Sequence, residues 1–391
     1  MPFLNPQFYL EYFLKRERTQ LYTSVAIRNF AMAMILIFEP IYLFLYFNQS
    51  LTKTFLFFSA IYFFYGILSP FGAKIMAKVG LKRAIFLSIP FLFSYYLALY
   101  ALKRDYFMLG GAILLIAASL KVVSMLFYWP AFHTDFVRFS EKKNRATQVS
   151  HLHIVNLAGW SVSPLLGGFI LERFGYSVLF IIVLIVLGLS AFPLLFSRVV
   201  HEVYTDSYQR AFKRVLWPEN KNNNIAFFAM GGENAISFWV WPVFLFVMTL
   251  KYQTIGLIST FSLIIGIFST LIIGKLADRV GKRRLLRIGS IFRSGAWIIK
   301  SFVKTGMQAF LARSFYRISQ KTAGVPFSAI LYDKAAQKGA DADEFIIYRE
   351  IVTNLAKAIT LLFLIFLFSL RLPIYSAFLL ASFYSLLLMF L

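Results

Sequence analysis

Three cations recur at every fourth position of an otherwise apolar stretch: Arg313, Arg317 and Lys321. On an α-helix this spacing keeps them within about 80° of one face, over about 12 Å of axis. Arginine presents a planar fork of donors that matches a carboxylate or a phosphate, and a cationic cavity attracts anions through its field. The pattern therefore predicts a helix that presents positive charge to an anionic solute. Structural ion pairs with buried acids are the alternative.

Other cations also interrupt apolar runs, where each charge costs about 2.5–3.5 kcal/mol at mid-span and therefore faces protein or water. Lys121 lies near the middle of its run and Arg28 in the first one, so we expect both to face the same cavity as the three cations above. Asn156 and Asn354 are polar candidates for the same site. Near the ends of apolar runs, side chains can extend to the interface, and we expect this of Arg293, Lys300 and Arg349.

Three acids within apolar runs are candidates for proton coupling: Glu39, Glu233 and Glu350. A carboxyl in an apolar setting can bind and release a proton near neutral pH. Glu350, Asn354 and Lys357 share one helix face by their i, i+4, i+7 spacing. The alternative is that each acid only neutralises a neighbouring cation.

The composition places these residues in a membrane. Of 391 residues, 59% are hydrophobic and 19% aromatic, more than a soluble domain carries. The formal charge of +23 lies mainly in alternate connections such as 74–83 and 275–287, which follows the positive-inside rule and puts both termini in the cytoplasm. The basicity therefore does not indicate nucleic-acid binding. Twelve spans of about 20 residues are predicted: about 22–46, 54–72, 83–102, 106–129, 146–171, 176–197, 225–249, 254–274, 285–303, 307–332, 344–368 and 373–391.

The two halves of the chain repeat. Phe30-Ala31-Met32 recurs as Phe228-Ala229-Met230, and Asn156-Leu157-Ala158 as Asn354-Leu355-Ala356, both 198 positions later. The longest polar connection lies between the halves. We therefore predict an all-α membrane protein with an N-terminal six-helix bundle (1–200), a cytoplasmic linker (201–224) and a C-terminal six-helix bundle (225–391), with a cavity between the bundles.

A loop pattern of Gly, Asp and Arg, GKLADRVGKRR at 274–284, closely resembles the signature between the second and third helices of each half in the major facilitator superfamily. A degraded copy, GAKIMAKVGLKR at 72–83, has Ala77 where the acid belongs. The resemblance implies twelve helices in two bundles and a cytoplasmic gate. Its residues here are Gly274, Asp278, Arg279, Gly281, Lys282, Arg283, Gly80, Lys82 and Arg83.

A second resemblance to that superfamily is GWSVSPLLGG at 159–168, similar to a span-five motif common in proton-coupled exporters. The residues that match are Gly159, Pro164, Gly167 and Gly168. A small-residue packing seam with a proline kink explains them equally well.

The sequence thus predicts a secondary transporter that moves a small, anionic solute by alternating access, coupled to a proton or another ion. We expect a monomeric, multi-pass protein of the plasma or inner membrane, without an enzymatic activity, a cofactor, a metal or a nucleic-acid partner. A proton-coupled exporter of drugs or other lipophilic solutes is the alternative, and efflux is its direction. A transport-inactive sensor or scaffold is more remote, as is a membrane-embedded acyltransferase suggested by the spacing of His201 and Asp206.

Overall fold

The computed structural model describes residues 20, 23–102, 110–139, 161–195, 204–248, 250–337 and 342–391. The described residues form helices joined by short turns, and no strand occurs among them. This is what the apolar runs predict, since a helix satisfies its backbone hydrogen bonds within one segment of chain in a bilayer.

The first half of the chain forms six described helices before the linker. Their bounds are α1 Thr23–Ile35, α2 Glu39–Tyr46, α3 Leu51–Val79, α4 Leu81–Ala101, α5 Gly110–Phe139 and α6 Ser163–Leu189. Inside α6, Gly175 has a φ of 73°, so the helix breaks there between the predicted fifth and sixth spans. Most of the predicted fifth span lies outside the described residues.

The linker and the second half follow in the same order. The linker contains the short helix α7 Tyr208–Leu216, and the second half comprises α8 Lys221–Ala235, α9 Trp241–Val247, α10 Tyr252–Val280, α11 Lys282–Lys300, α12 Gly306–Gln337, α13 Ala342–Ser369 and α14 Ser376–Leu387. Helix α8 begins four residues before the predicted start of the second half.

The first span of each half is interrupted next to a proline. Helices α1 and α2 meet at a 40° bend, and Pro40 stands in the first turn of α2. In the second half a π-helical segment, Ile236–Val240, separates α8 from α9, and Pro242 stands in the first turn of α9. Proline has no backbone N–H, so the first turn of a helix accommodates it best. The repeat between the two halves of the sequence is therefore also present in the structure.

Two glycine turns repeat in the same way. Gly80 separates α3 from α4 with a φ of 93°, and Gly281 separates α10 from α11 with a φ of 102°. An L side chain rarely adopts this backbone conformation. Because helices alternate in direction, both turns lie at one end of the bundle. This end, which the sequence predicts to be cytoplasmic, is called the basic end below.

In the described part of the chain, six helices are long and apolar enough to cross a membrane, namely α3, α4, α5, α6, α10 and α13. The bent pair α1 and α2 is a seventh if the two helices are counted as one span. Helices α11 and α12 carry the buried cations described below. The fold is thus that of a multi-pass membrane protein. The count of twelve spans and the cytoplasmic termini remain predictions.

Two helix pairs form the most extensive contacts between the halves among the described residues. Helix α3 packs against α13, and α6 packs against α10. At the first contact a Cβ on Gly66 would lie 3.0 Å from Leu355 Cγ, and Ser59 donates to the carbonyl of Ala358 at 3.1 Å. These close contacts fix the face that each half turns toward the other.

Candidate functional site

A cavity of about 40 Å³ lies between the two halves. The wall from the first half is entirely apolar, whereas the wall from the second half carries two guanidinium groups, Arg313 and Arg317. The cavity therefore has a cationic wall from the second half and an apolar wall from the first half. The lining residues are Ala33, Leu36, Ile37, Pro164, Ser237, Phe238, Pro242, Ser259, Leu263, Arg313 and Arg317.

The two arginines have weak partners. Arg313 is 5% exposed and donates to Ser237 Oγ at 3.4 Å. Arg317 donates to Gln320 Oε1, one turn along its own helix, at 2.9 Å. Within the described part of the chain, neither guanidinium forms an ion pair with a carboxylate, and the Nε of each is buried without a hydrogen bond. Lys321, 9% exposed, continues the series one turn further but does not line the cavity.

Behind this wall, Glu233 of α8 is fully buried among strong donors. Arg293 of α11 binds it through two nitrogens, Nε to Oε1 at 3.0 Å and Nη2 to Oε2. Trp297 Nε1 and the Tyr316 hydroxyl also donate to Oε1, at 2.7 and 2.6 Å. Bidentate arginine–carboxylate pairs are among the strongest hydrogen-bonded contacts. The negative charge of Glu233 is therefore neutralised by Arg293, within the second half.

Lys300, at the end of α11, is also fully buried in this region. Its Nζ lies 3.4 Å from the ring centroid of Tyr316, 3.5 Å from that of Trp297 and 4.7 Å from that of Trp241. Among the described residues this Nζ has no hydrogen-bond acceptor. The three rings thus surround an amine that is paired with no carboxylate.

The first half holds its own buried acid, Glu39, by different donors. The hydroxyls of Tyr95 and Tyr96 donate to Oε1 and Oε2 at 2.7 and 2.8 Å. Lys121 Nζ is 3.9 Å from Oε1 and lies over the Tyr95 ring at 4.5 Å. Lys121 therefore contacts Glu39 within the first half and is not among the cavity-lining residues. Arg28 stacks at 3.6 Å on the ring of Tyr128.

A third cluster bridges the halves toward the basic end, around Glu350 of α13. Tyr65 of α3 donates to Glu350 Oε2 at 3.0 Å, and His133 Nε2 of α5 lies 3.7 Å from Oε1. Arg349 and Asn354 also donate to this carboxylate, at 3.0 and 3.1 Å. The face shared by Glu350, Asn354 and Lys357 is confirmed, since Lys357 donates to Asn354 Oδ1 at 2.9 Å.

The loop motifs surround the glycine turns. Lys282 forms an ion pair with Asp333 at 2.6 Å, which ties the start of α11 to the end of α12. Asp278 is half-buried, whereas Arg279, Arg283 and, in the first-half copy, Arg83 are exposed. Lys82 and Gly274 are buried. These residues connect helices at the basic end and do not reach the cavity.

The span-five motif forms a close seam between helices. A Cβ on Gly167 would overlap the carbonyl oxygen of Met34, and one on Gly168 that of Tyr252. From the other side, a Cβ on Gly256 would overlap the carbonyl oxygen of Pro164. This geometry fits the packing explanation, while Pro164 also lines the cavity.

Several predictions fall on residues whose structure is not described: Asn156, Gly159 and His201. Asp206, the other half of the acyltransferase spacing, forms ion pairs with Arg214 and Arg210 at 2.5 and 3.3 Å. The described residues contain no group of three or more His, Asp or Glu that could hold a metal ion.

One expectation was wrong. Arg293, Lys300 and Arg349 do not extend to an interface, because they are 3%, 0% and 9% exposed and lie against protein. The sequence analysis also missed the neutral partners of the acids. A tyrosine or tryptophan in an apolar run gives no signal that separates a buried donor from a side chain facing lipid. The missed partners of the acids are Tyr65, Tyr95, Tyr96, His133, Trp297 and Tyr316. Trp241, whose ring lies beside Lys300, was missed as well.

Comparisons with known proteins agree with this architecture. No curated protein matches the sequence. The chain is similar in structure to the human organic anion transporter MFSD10 (TETRAN), with a TM-score of 0.69, 10% identity, and 96% of this chain and 98% of the other covered. It is also similar to the transporter FucP in an outward conformation, with a TM-score of 0.66, 13% identity and 95% and 96% covered. A variant of the E. coli fucose:proton symporter FucP gives a TM-score of 0.66 at 12% identity, with 95% and 96% covered.

At these identities the likeness concerns the fold alone. The family model of the Major Facilitator Superfamily matches residues 21–299, more than half of the sequence. It spans the first half, the linker and the second half as far as α11, and so includes both glycine turns and the buried acids Glu39 and Glu233. The chain belongs to the major facilitator superfamily.

Proposed function

We propose that this protein is a secondary transporter that carries a small organic anion across the membrane by alternating access. The observation that carries the proposal is the pair Arg313 and Arg317, which line the cavity between the halves without a carboxylate partner among the described residues. A buried cation without a counter-charge is costly. A bound carboxylate or phosphate would supply that charge.

The opposite wall favours an anion with an apolar body. Ala33, Leu36 and Ile37 of the first half face the arginines, and none offers a side-chain hydrogen bond. On this side of the cavity a hydrated inorganic anion would lose water molecules, and no side chain would replace their hydrogen bonds. A carboxylate or phosphate joined to a hydrocarbon or aromatic group matches both walls.

Contacts between the halves on either side of the cavity support alternating access. Toward the basic end, His133 lies within 3.1 Å of the Tyr332 hydroxyl and near Glu350. At the opposite end, Phe38 and Tyr176 pack their rings against Tyr252. The space of about 40 Å³ is too small for an organic solute, so one of these layers must separate to admit it. Rocking of one half against the other would separate them in turn.

Proton coupling is part of the proposal, with Glu39 as the acid best suited to it. Glu233 and Glu350 each accept a close hydrogen bond from an arginine, whereas Glu39 is held mainly by two neutral hydroxyls. A neutral carboxyl can keep one of those hydrogen bonds and donate its own proton elsewhere. Among the described residues, Glu39 is therefore the acid of the three that accepts no hydrogen bond from an arginine.

The similar structures are named as transporters of an organic anion and of fucose, so the fold alone does not indicate the class of solute. An exporter of lipophilic solutes is the second candidate, and the apolar wall formed by the first half favours it. Such a transporter would prefer neutral or cationic hydrophobic compounds. We propose a monomer in the plasma or inner membrane for either activity.

Uptake into proteoliposomes distinguishes the two candidates. The full chain is reconstituted and tested with labelled benzoate, hexanoate, phenyl phosphate and the lipophilic cation tetraphenylphosphonium. We expect transport of one or more of the anions, and a loss of at least tenfold in Arg317→Gln. Arg371→Gln is the matched control, because Arg371 is exposed and does not line the cavity. Transport of tetraphenylphosphonium alone would contradict the proposal.

A further inference from the structure

The amine of Lys300 is the buried cation that the proposed transport cycle leaves unexplained. It lies at the end of α11, is fully buried and has no hydrogen-bond acceptor among the described residues. Lysine is flexible enough to reach solvent from many positions near a helix end. Here the side chain instead turns inward, into the space between three aromatic rings.

The surroundings of Lys300 carry an excess of positive charge. The titratable and charged groups that face it are Glu233 from α8, Arg293 from α11, and Arg313, Tyr316 and Arg317 from α12. The segments α9 and α14, which pack on the same region, contribute no charged side chain. One carboxylate thus stands against three guanidiniums and the amine, and Arg293 already binds that carboxylate through two nitrogens.

The aromatic rings offset only part of this repulsion. Cation–π contacts in a desolvated site favour the ammonium form. Arg313 competes for the same rings, since its guanidinium carbon lies 5.3 Å from the Tyr316 centroid and 6.0 Å from that of Trp241. An added negative charge near these cations would therefore favour the ammonium form of the Lys300 amine.

An anion bound in the cavity would supply such a negative charge. Arg313 lines it and lies between the cavity and the rings around Lys300. We propose, on the basis of the proposed anion site, that Lys300 takes up one proton when an anion binds at Arg313 and Arg317 and releases it when the anion leaves. The proton comes from water, adds to the neutral Nζ to give the ammonium, and returns to water on release. The anion would then cross together with a compensating proton.

The consequence is a reciprocal linkage between proton and anion. If anion binding takes up one proton, lowering the pH by one unit tightens anion binding about tenfold, over the range in which free protein holds Lys300 uncharged. Lys300 is a positioning charge in this scheme, since Arg313 and Arg317 contact the anion. Replacement of Lys300 should leave an anion site whose affinity no longer depends on pH through Lys300.

Calorimetry on the full chain in detergent tests this linkage. Benzoate, hexanoate and phenyl phosphate are titrated in Tris and in HEPES, whose ionisation enthalpies differ, so that the difference in heat gives the number of protons taken up. We expect about one proton per anion in the unaltered protein and close to none in Lys300→Met and Lys300→Arg. The first variant removes the charge and the second makes it permanent. Lys304→Met, at an exposed lysine four residues later, should keep the uptake.

The outcomes separate the two proposals. Binding with unchanged proton uptake in both Lys300 variants would overturn the role of Lys300 and would assign the proton to another group such as Glu39, while the anion site stands. No binding of any of the three probes to the unaltered protein would overturn the anion site itself, and this inference with it. Thermal unfolding of each variant shows whether it is folded before calorimetry.

Discussion

The two halves of the molecule bury an acid on their first span, but they hold it in opposite ways. Glu233 faces a guanidinium, an indole N–H and a phenol, all within hydrogen-bond distance. Glu39 faces two phenols, and its nearest cation, Lys121, is 3.9 Å away. One carboxylate is thus held by charge and the other by neutral donors.

The difference originates in the third span of each half. Helix α4 brings Tyr95 and Tyr96 to the acid, whereas α11 brings Arg293 and Trp297. A neutral donor can serve both the ionised and the protonated form of a carboxyl, but a bidentate guanidinium serves only the ionised form. The two halves therefore hold matching buried acids differently, by a guanidinium in the second half and mainly by neutral hydroxyls in the first.

Replacement of Glu233 by Gln should have the largest effect on stability. The substitution leaves the Arg293 guanidinium buried without a negative partner, which costs about 3–5 kcal/mol. We expect a large fall in the midpoint of thermal unfolding in detergent. The double variant Glu233→Gln/Arg293→Gln should recover most of the loss, because no unpaired charge remains from this pair. Equal losses for Glu233→Gln and Glu39→Gln would break the comparison between the halves.

Replacement of Glu39 by Gln should cost much less, about 1 kcal/mol. The amide oxygen still accepts a hydrogen bond from one tyrosine, one neutral contact is exchanged for a poorer one, and the ion pair lost with Lys121 is long, at 3.9 Å. In proteoliposomes we expect anion exchange at equal pH to persist and the response to an imposed pH gradient to weaken, since one of two protonatable groups is lost. An unchanged response to the gradient would remove Glu39 from the coupling proposal.

The sequence predicted those parts of this arrangement that depend on local spacing. The four-residue recurrence of Arg313 and Arg317 placed both on one face, and the structure puts both in the cavity wall. The matched prolines Pro40 and Pro242 lie at interruptions of the first span in each half. Periodicity and proline chemistry act within one helix, so they can be read without the tertiary structure.

The choice of partners could not be predicted, because it depends on how helices pack. Glu233 could have paired with any of several cations on α11 and α12, and only the helix packing selects Arg293 over Arg313. Lys300 lies near a span end, where the expected behaviour is extension to the interface. Its burial results from the position of α9 and α12 around it, which no local pattern encodes.

Removal of the Lys121 amine should have the smallest effect. Lys121→Met takes away an ion pair at 3.9 Å and a contact with the Tyr95 ring, and it leaves Glu39 with both tyrosine hydroxyls. The lost ion pair is long, and the two hydroxyls still donate to the carboxylate, so the loss of stability should be below about 1 kcal/mol in unfolding midpoints measured at neutral pH. Arg293→Met in the other half should cost several times more at the same pH. A Lys121→Met loss as large as that of Arg293→Met would mean that Glu39 is held by charge after all, and that the two halves treat their buried acids alike.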